Sequence, residues 1–174
     1  MRKQFDICGA KPSKMEIKIR VATKEDMPRV LELIQELADF EKEPDAVKTS
    51  VEVLEQEGFG AQPLFTCFLA EVNQQVVGLA LVYFRFSTWR GRAVYLEDLI
   101  VTESMRGKGV GKALYTQVMR YAKQQGAKVV SWVVLNWNEG AIQFYESTGA
   151  TIDKGWYQAY MDEQAIERFL DKQS

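Results

Sequence analysis

Two adjacent carboxylates, Glu97 and Asp98, lie within the apolar run RAVYLEDLIV. A carboxylate inside an apolar strand is costly to bury, so such a pair points to chemistry. Burial also raises the pKa of a carboxyl group towards the range in which it accepts protons near neutral pH. The chain has no histidine, so Glu97 is the best candidate for a general base. The alternative is that one of the pair only holds a loop through backbone N–H groups.

The glycine-rich stretch TESMRGKGVGKALY follows this run at residues 102–115. Glycines let successive backbone N–H groups approach an anion, and the positive end of the following helix adds to the attraction. A Walker loop is excluded, because Ala113 follows the Gly-Lys pair and Arg106 stands where the first glycine should be. A dinucleotide fingerprint fails because Leu114 occupies its third glycine position. The remaining pattern, Arg-x-x-Gly-x-Gly, fits a tight turn as well as a phosphate site.

A third candidate stretch, NEGAIQFY, runs from Asn138 to Tyr145. A tyrosine hydroxyl can donate a proton to a leaving group, although a tyrosine on a helix is more often a packing residue. Asparagine at Asn138 is also a favoured helix N-cap. The stretch by itself is compatible with packing and with chemistry.

Composition narrows the class of protein. At 174 residues, with 47% hydrophobic and 26% charged residues, the chain suits one globular domain with a sizeable core. Its net charge of −2 argues against a nucleic-acid partner and leaves room for a cationic ligand. Cys8 and Cys67 form neither a disulfide framework nor a metal site, which indicates a reducing cytoplasm, and Cys67 is expected in the core. The apolar runs are too short for a membrane span, and no signal peptide opens the chain.

The early chain predicts strands and amphipathic helices. Residues 1–14 precede any periodic pattern and are interpreted as a mobile extension, and residues 15–174 as a single domain. MEIKIRVA predicts a strand, and helical spacing follows to about Phe40. A second helix over VEVLEQE and a hairpin of FTCFLAEV and VVGLALVYFRF come next.

The later chain alternates between the two kinds of element. RAVYLEDLIV predicts a strand, and the glycine stretch opens a helix that closes at Gly126. The runs VVSWVVL, NEGAIQFYEST, WYQAYM and AIERFL then predict a strand, a helix, a strand and a last helical turn or two. The order predicts an α+β or mixed α/β domain around one sheet.

Two ordered motifs, Arg-x-x-Gly-x-Gly and the downstream Asn-x-x-Ala-x-x-x-Tyr, resemble those of the GNAT acyltransferases. A closer resemblance covers nearly everything from residue 17 onward. LADFEKEPDAVK, EGFG, STWRGRAVYLEDLIV, MRGKGVGKALY and LNWNEGAIQFYESTGA are similar to the spermidine/spermine (diamine) acetyltransferase family, and most of all to its thialysine acetyltransferase branch. The resemblance implies a mostly antiparallel mixed sheet of six to seven strands, splayed in the middle and flanked by about four helices.

The resemblance also implies acetyl-CoA as the cosubstrate. Its pyrophosphate would lie on the glycine stretch, at Arg106, Gly107, Lys108, Gly109, Val110, Gly111 and Lys112. Its pantetheine would pair like an added strand with Leu99, Ile100 and Val101. Asn138 and Ala141 would contact its amide arm. No metal is implied.

The roles of the reacting groups follow from the same resemblance. Glu97 would accept the amine proton through ordered water, and Tyr145 would protonate the departing thiolate. Residues matched to the acceptor site are Phe40, Glu41, Trp89, Glu97, Asp98 and Trp132. An aromatic face beside acidic residues suits a long cation, although Trp89 also fits a loop anchor and Trp132 a core position.

These observations predict a cytoplasmic N-acetyltransferase that acts on the primary amine of a small cationic metabolite. That acceptor is a polyamine, another diamine, or a lysine analogue such as thialysine. No motif positions a cysteine nucleophile, so direct attack in a ternary complex is favoured, and the family implies a homodimer. The alternatives are acetylation of a protein or peptide amine, and a non-catalytic acyl-CoA sensor, which would not require Glu97 and Tyr145 together.

Overall fold

The computed structural model describes residues 15–173, and the extension predicted over residues 1–14 lies outside them. The described chain contains five strands and five α-helices, with short 3-10 turns before α1 and α3. In chain order the elements are β1 (Lys18–Val21), α1 (Met27–Phe40), α2 (Val51–Phe59), β2 (Thr66–Val72), β3 (Gln75–Ser87), β4 (Gly91–Val101), α3 (Val110–Gln124), β5 (Val129–Ser131), α4 (Glu139–Ser147) and α5 (Glu163–Asp171).

The strands form one mixed sheet in the order β1-β2-β3-β4-β5. The first four strands are antiparallel neighbours, and β5 joins β4 in parallel. The predicted mixed, mostly antiparallel sheet is confirmed. The predicted six to seven strands are wrong for residues 15–173, which form five, and the helix count is five rather than about four.

The strand predicted over WYQAYM accounts for part of that difference. This segment has no regular structure, and its aromatic side chains are exposed, with Tyr157 98% and Tyr160 88% accessible. A strand requires a neighbouring strand to satisfy its backbone groups. The segment has none among the described residues, so its alternating pattern does not produce one.

The described chain divides into two compact units. The first ends at Val133 and contains the whole sheet with α1, α2 and α3. The second begins at Val134 and contains α4 and α5. No helix of residues 15–173 is long and apolar enough to cross a membrane.

The first unit is held together by an apolar core between the sheet and its helices. α1 and α2 contribute Met27, Val30, Leu33 and Leu54, which pack against Cys67, Leu69, Leu79, Leu81 and Ile100 of the sheet. Cys67 is 3% exposed, and burial raises the pKa of its thiol to about 12. The prediction that Cys67 belongs to the core is confirmed, and its thiolate is not available near neutral pH.

The sheet opens where β4 and β5 separate. β5 pairs with β4 only from Ala93 opposite Val129 to Tyr95 opposite Ser131. β4 continues beyond Tyr95 to Val101, and no described strand pairs with that edge of it. β5 is therefore shorter than the predicted run VVSWVVL, and the splay implied by the resemblance is present.

Candidate active site

The glycine stretch forms the turn from β4 into α3. Gly107 and Gly109 have φ values of 72° and 87°, a left-handed conformation that glycine adopts without a steric penalty. Gly109 is the N-cap of α3, and no described side chain caps it. The first helical hydrogen bond runs from the Ala113 N–H to the Gly109 oxygen, at 3.0 Å.

This geometry suits an anion. The N–H groups of the first helical turn have no partner within a helix, and the helix dipole adds positive charge at that end. Lys108 and Lys112 are both exposed on this turn. The turn can therefore hold a phosphate group through backbone N–H groups, with lysine charge nearby.

The strand β4 is irregular at the two predicted carboxylates. Leu81 pairs with Asp98, and the next residue of β3, Val82, pairs with Leu96, so Glu97 is an extra residue without a partner on β3. In a regular strand, adjacent side chains point to opposite faces. A β-bulge interrupts that alternation, and the charges of Glu97 and Asp98 act on each other.

The structure gives these two carboxylates different environments. Glu97 is exposed, so the expectation that this carboxylate is buried is wrong. Asp98 is partly buried and is the desolvated member of the pair. Burial, followed by the charges of Glu97 and Glu41, raises the pKa of Asp98 to about 6.

Glu41 completes an acidic cluster of three carboxylates. It is the C-cap of α1, and its N–H donates to the Leu37 oxygen at 2.9 Å. Partial desolvation raises the pKa of Glu41, and its charge in turn raises that of Asp98. The predicted acceptor residues Glu41 and Glu97 therefore both lie within electrostatic range of Asp98. Such a cluster attracts a cation, because the positive charge of the cation stabilises the ionised carboxylates.

Two tyrosines that the sequence did not single out lie beside this cluster. Tyr83 and Tyr95 pair across β3 and β4, with ring centroids 5.3 Å apart. Burial and the charge of Glu97 raise the pKa of the Tyr83 hydroxyl. The guanidinium of Arg85 lies 5.4 Å from the centre of the Tyr95 ring. The sequence signal that could have found Tyr95 is its position two residues before Glu97 in the same strand.

The predicted aromatic residues of the acceptor site have varied surroundings. The Phe40 ring lies under the guanidinium of Arg106. Trp132 is half-buried and packs edge-on against Tyr115 of α3, with centroids 5.7 Å apart. Trp89 is 85% exposed in the turn between β3 and β4. A role of Trp89 or Trp132 in acceptor binding stays a prediction.

In the second unit, α4 has the form that the sequence predicts. The side-chain oxygen of Asn138 accepts a hydrogen bond from the Ala141 N–H at 3.2 Å, which confirms Asn138 as the N-cap. Tyr145 is 7% exposed, and its ring is tilted against that of Phe144 at 5.4 Å. The role of Tyr145 as a proton donor stays a prediction.

Comparison with known proteins gives consistent matches. The model of the acetyltransferase (GNAT) family matches residues 29–150. A thialysine N-epsilon-acetyltransferase of Bos taurus is 36% identical over 167 residues, which are 90% of this chain and 98% of the relative. The spermidine/spermine N(1)-acetyltransferase-like protein 1 of Homo sapiens is 35% identical over 160 residues, which are 86% of this chain and 23% of that longer protein.

A solved structure matches the fold. It is an aminoglycoside N-acetyltransferase in complex with CoA, with a TM-score of 0.69. The match covers 88% of this chain and 99% of that one, at 18% sequence identity. Identity this low shows a shared fold alone.

The desolvation of the Asp98 carboxyl group predicts a pH-dependent change in stability. Its pKa is raised from 3.8 to about 6, so the folded state binds more protons than the unfolded state between these values. The stabilising contribution of Asp98 is complete below about pH 4 and is lost as the pH rises through about 6. Asp98→Asn should therefore be more stable than wild type at pH 7.5, by up to about 3 kcal/mol, and no more stable at pH 4.

Urea denaturation at the two pH values measures this difference. Asp45→Asn, at an exposed carboxyl after α1, is the matched control and should alter stability little at either pH. An Asp98→Asn protein that is less stable than wild type at pH 7.5 would contradict the assigned environment.

Proposed function

The chain belongs to the acetyltransferase (GNAT) family, and we propose that it transfers the acetyl group of acetyl-CoA to a primary amine of a small cationic metabolite. The observation that carries this proposal is the cluster of Glu41, Glu97 and Asp98 in the unit that also contains the glycine turn. Three carboxylates suit an ammonium acceptor, and the N–H groups of the turn suit the phosphates of the donor.

Coenzyme A fits two features of the first unit. The N–H groups of residues 107–112 and the lysines Lys108 and Lys112 would hold its pyrophosphate. The open edge of β4 at Leu99, Ile100 and Val101 would pair with the amides of its pantetheine arm. The cosubstrate supplies an acetyl group activated as a thioester. The sequence motif adds Asn138 and Ala141 of α4 as contacts of the amide arm.

Removal of a proton from the acceptor is the main demand on the protein. An alkyl ammonium has a pKa of about 10.4, so about 1 in 2500 is neutral at pH 7, a deficit of about 4.6 kcal/mol. Glu97 is exposed and can be reached by an incoming amine, and it accepts the proton directly or through a water. Asp98 and Glu41 provide the negative charge that holds the ammonium.

The transfer is direct. The Cys67 thiol is buried and its pKa is raised to about 12, which makes it a poor nucleophile. The amine therefore attacks the acetyl carbonyl within a ternary complex. Tyr145, carried by the Asn-x-x-Ala-x-x-x-Tyr motif, is the proposed proton donor to the departing thiolate.

The acceptor class follows from the acidic cluster and from the relatives. One relative is named for thialysine and another for spermidine and spermine, and both kinds of compound carry a primary ammonium with a second charged nitrogen. We infer a polyamine, another diamine or a lysine analogue for this chain. Residues 15–174 are proposed to act as one domain, since the family match spans both compact units. A cytoplasmic homodimer is the proposed form of the protein.

Thiol release from acetyl-CoA tests the proposed activity. We expect the purified protein to release free thiol with thialysine, spermidine or a diamine, and far more slowly with peptides that carry a free lysine. The reason is that three carboxylates recognise a compact ammonium without help from a peptide backbone. Faster release with peptides would favour a protein acetyltransferase. Binding of acetyl-CoA without release by any amine would favour an acyl-CoA sensor.

Two variants separate the proposed proton acceptor from the proposed proton donor. Glu97→Gln and Tyr145→Phe should each lower kcat by about 10²-fold or more, with the Kd of acetyl-CoA little changed. The Glu97→Gln defect should shrink as the pH rises towards 10, because the amine then loses its proton unaided. The Tyr145→Phe defect should not shrink in that way.

Matched controls for these variants are Glu167→Gln and Tyr157→Phe, at exposed positions of the second unit. Both should retain wild-type turnover. An unchanged rate and pH profile for Glu97→Gln would exclude Glu97 as the base. Equal losses of turnover and acetyl-CoA binding in Tyr145→Phe would make Tyr145 a structural residue.

A further inference from the structure

The side chain of Arg106 contacts two other residues of the protein. Its Nε donates a hydrogen bond to the Val101 carbonyl oxygen at 2.9 Å. Its guanidinium carbon lies 4.7 Å from the centre of the Phe40 ring. Both contacts lie within the first unit. One planar group thus bonds to the end of β4 and stacks on the end of α1.

These contacts join two parts of the proposed site. Arg106 directly precedes Gly107, the first left-handed glycine of the turn that would hold the pyrophosphate. Phe40 directly precedes Glu41, the carboxylate at the end of α1. The stacked pair of Arg106 and Phe40 connects these two charged parts of the first unit. A shift of the glycine turn would therefore move the end of α1.

We propose that Arg106 is a positioning residue whose stack on Phe40 couples the glycine turn to Glu41, so that acetyl-CoA and the acceptor amine strengthen each other's binding. The inference rests on the proposed function, because it assigns the donor to the turn and the amine to the acidic cluster. Coupling of this kind is reciprocal: each ligand raises the affinity of the other by the same factor.

Arginine is required for this role. Its guanidinium is planar, and it can donate from Nε in its plane while its face covers an aromatic ring. Lysine has the same charge but neither the plane nor the Nε donor. Leucine at position 40 would keep an apolar side chain of similar size and remove the π face. Arg106→Lys and Phe40→Leu therefore break the same contact from its two sides.

The experiment compares these variants with Lys108→Gln, which removes a charge from the same turn without touching Phe40. We expect Arg106→Lys and Phe40→Leu each to raise the KM for the amine about tenfold, with the Kd of free acetyl-CoA within about threefold of wild type. The double variant should be no worse than either single variant. Lys108→Gln should raise the Kd of acetyl-CoA and leave the KM for the amine unchanged.

Titration of acetyl-CoA in the presence of a saturating amine measures the coupling directly. Wild type should bind acetyl-CoA more tightly with amine than without it, and both single variants should lose that difference while thermal unfolding shows them folded. An Arg106→Lys protein that behaves like Lys108→Gln would overturn the inference, as would effects that multiply in the double variant. No thiol release by wild type would instead overturn the proposed function, and the inference with it.

Discussion

One extra residue in β4 is the constraint on which the site depends. Because Glu97 has no partner on β3, the strand keeps its ladder on both sides of the bulge while the alternation of side chains is interrupted. At this bulge Glu97 is exposed and the next residue, Asp98, is desolvated, and the charge of Glu97 acts on Asp98.

The same strand loses its other neighbour just before the bulge. β5 leaves β4 after Tyr95, which frees the edge of β4 from Leu96 to Val101. The strand then ends in a turn with two left-handed glycines at the start of α3, where the first N–H groups of the helix have no partner within it. Two carboxylates, an open strand edge and a glycine turn whose geometry suits an anion thus follow one another along a single segment of chain. That order suits a donor that carries amides and phosphates in one extended arm.

The acidic cluster lowers the stability of the folded state and attracts a cation. Burial of Asp98 beside Glu41 and Glu97 disfavours its charged form, and an incoming ammonium relieves that repulsion. Stability sacrificed at a binding site is a common feature of enzymes. The remaining core of the first unit is apolar and well packed, so it can tolerate this local cost.

The sequence predicts the local elements well and the long-range arrangement less well. The hairpin turn at Asn73 and Gln74, the end of α1 near Phe40 and the Asn138 cap of α4 follow from nearby residues, and all are present. The bulge at Glu97 depends on register with β3, which no local pattern records. The stack of Arg106 on Phe40 joins residues far apart in the chain, and the strand predicted over WYQAYM fails for lack of a partner.

A crystal structure with a bisubstrate adduct, coenzyme A joined through an acetyl group to the nitrogen of an accepted amine, would show which groups surround the reacting nitrogen. We expect this nitrogen within about 3 Å of a Glu97 oxygen, or of one water bound to it, with the pyrophosphate on the N–H groups of residues 107–112. An adduct whose nitrogen lies away from Glu97 and Asp98, or whose pyrophosphate lies elsewhere, would contradict it.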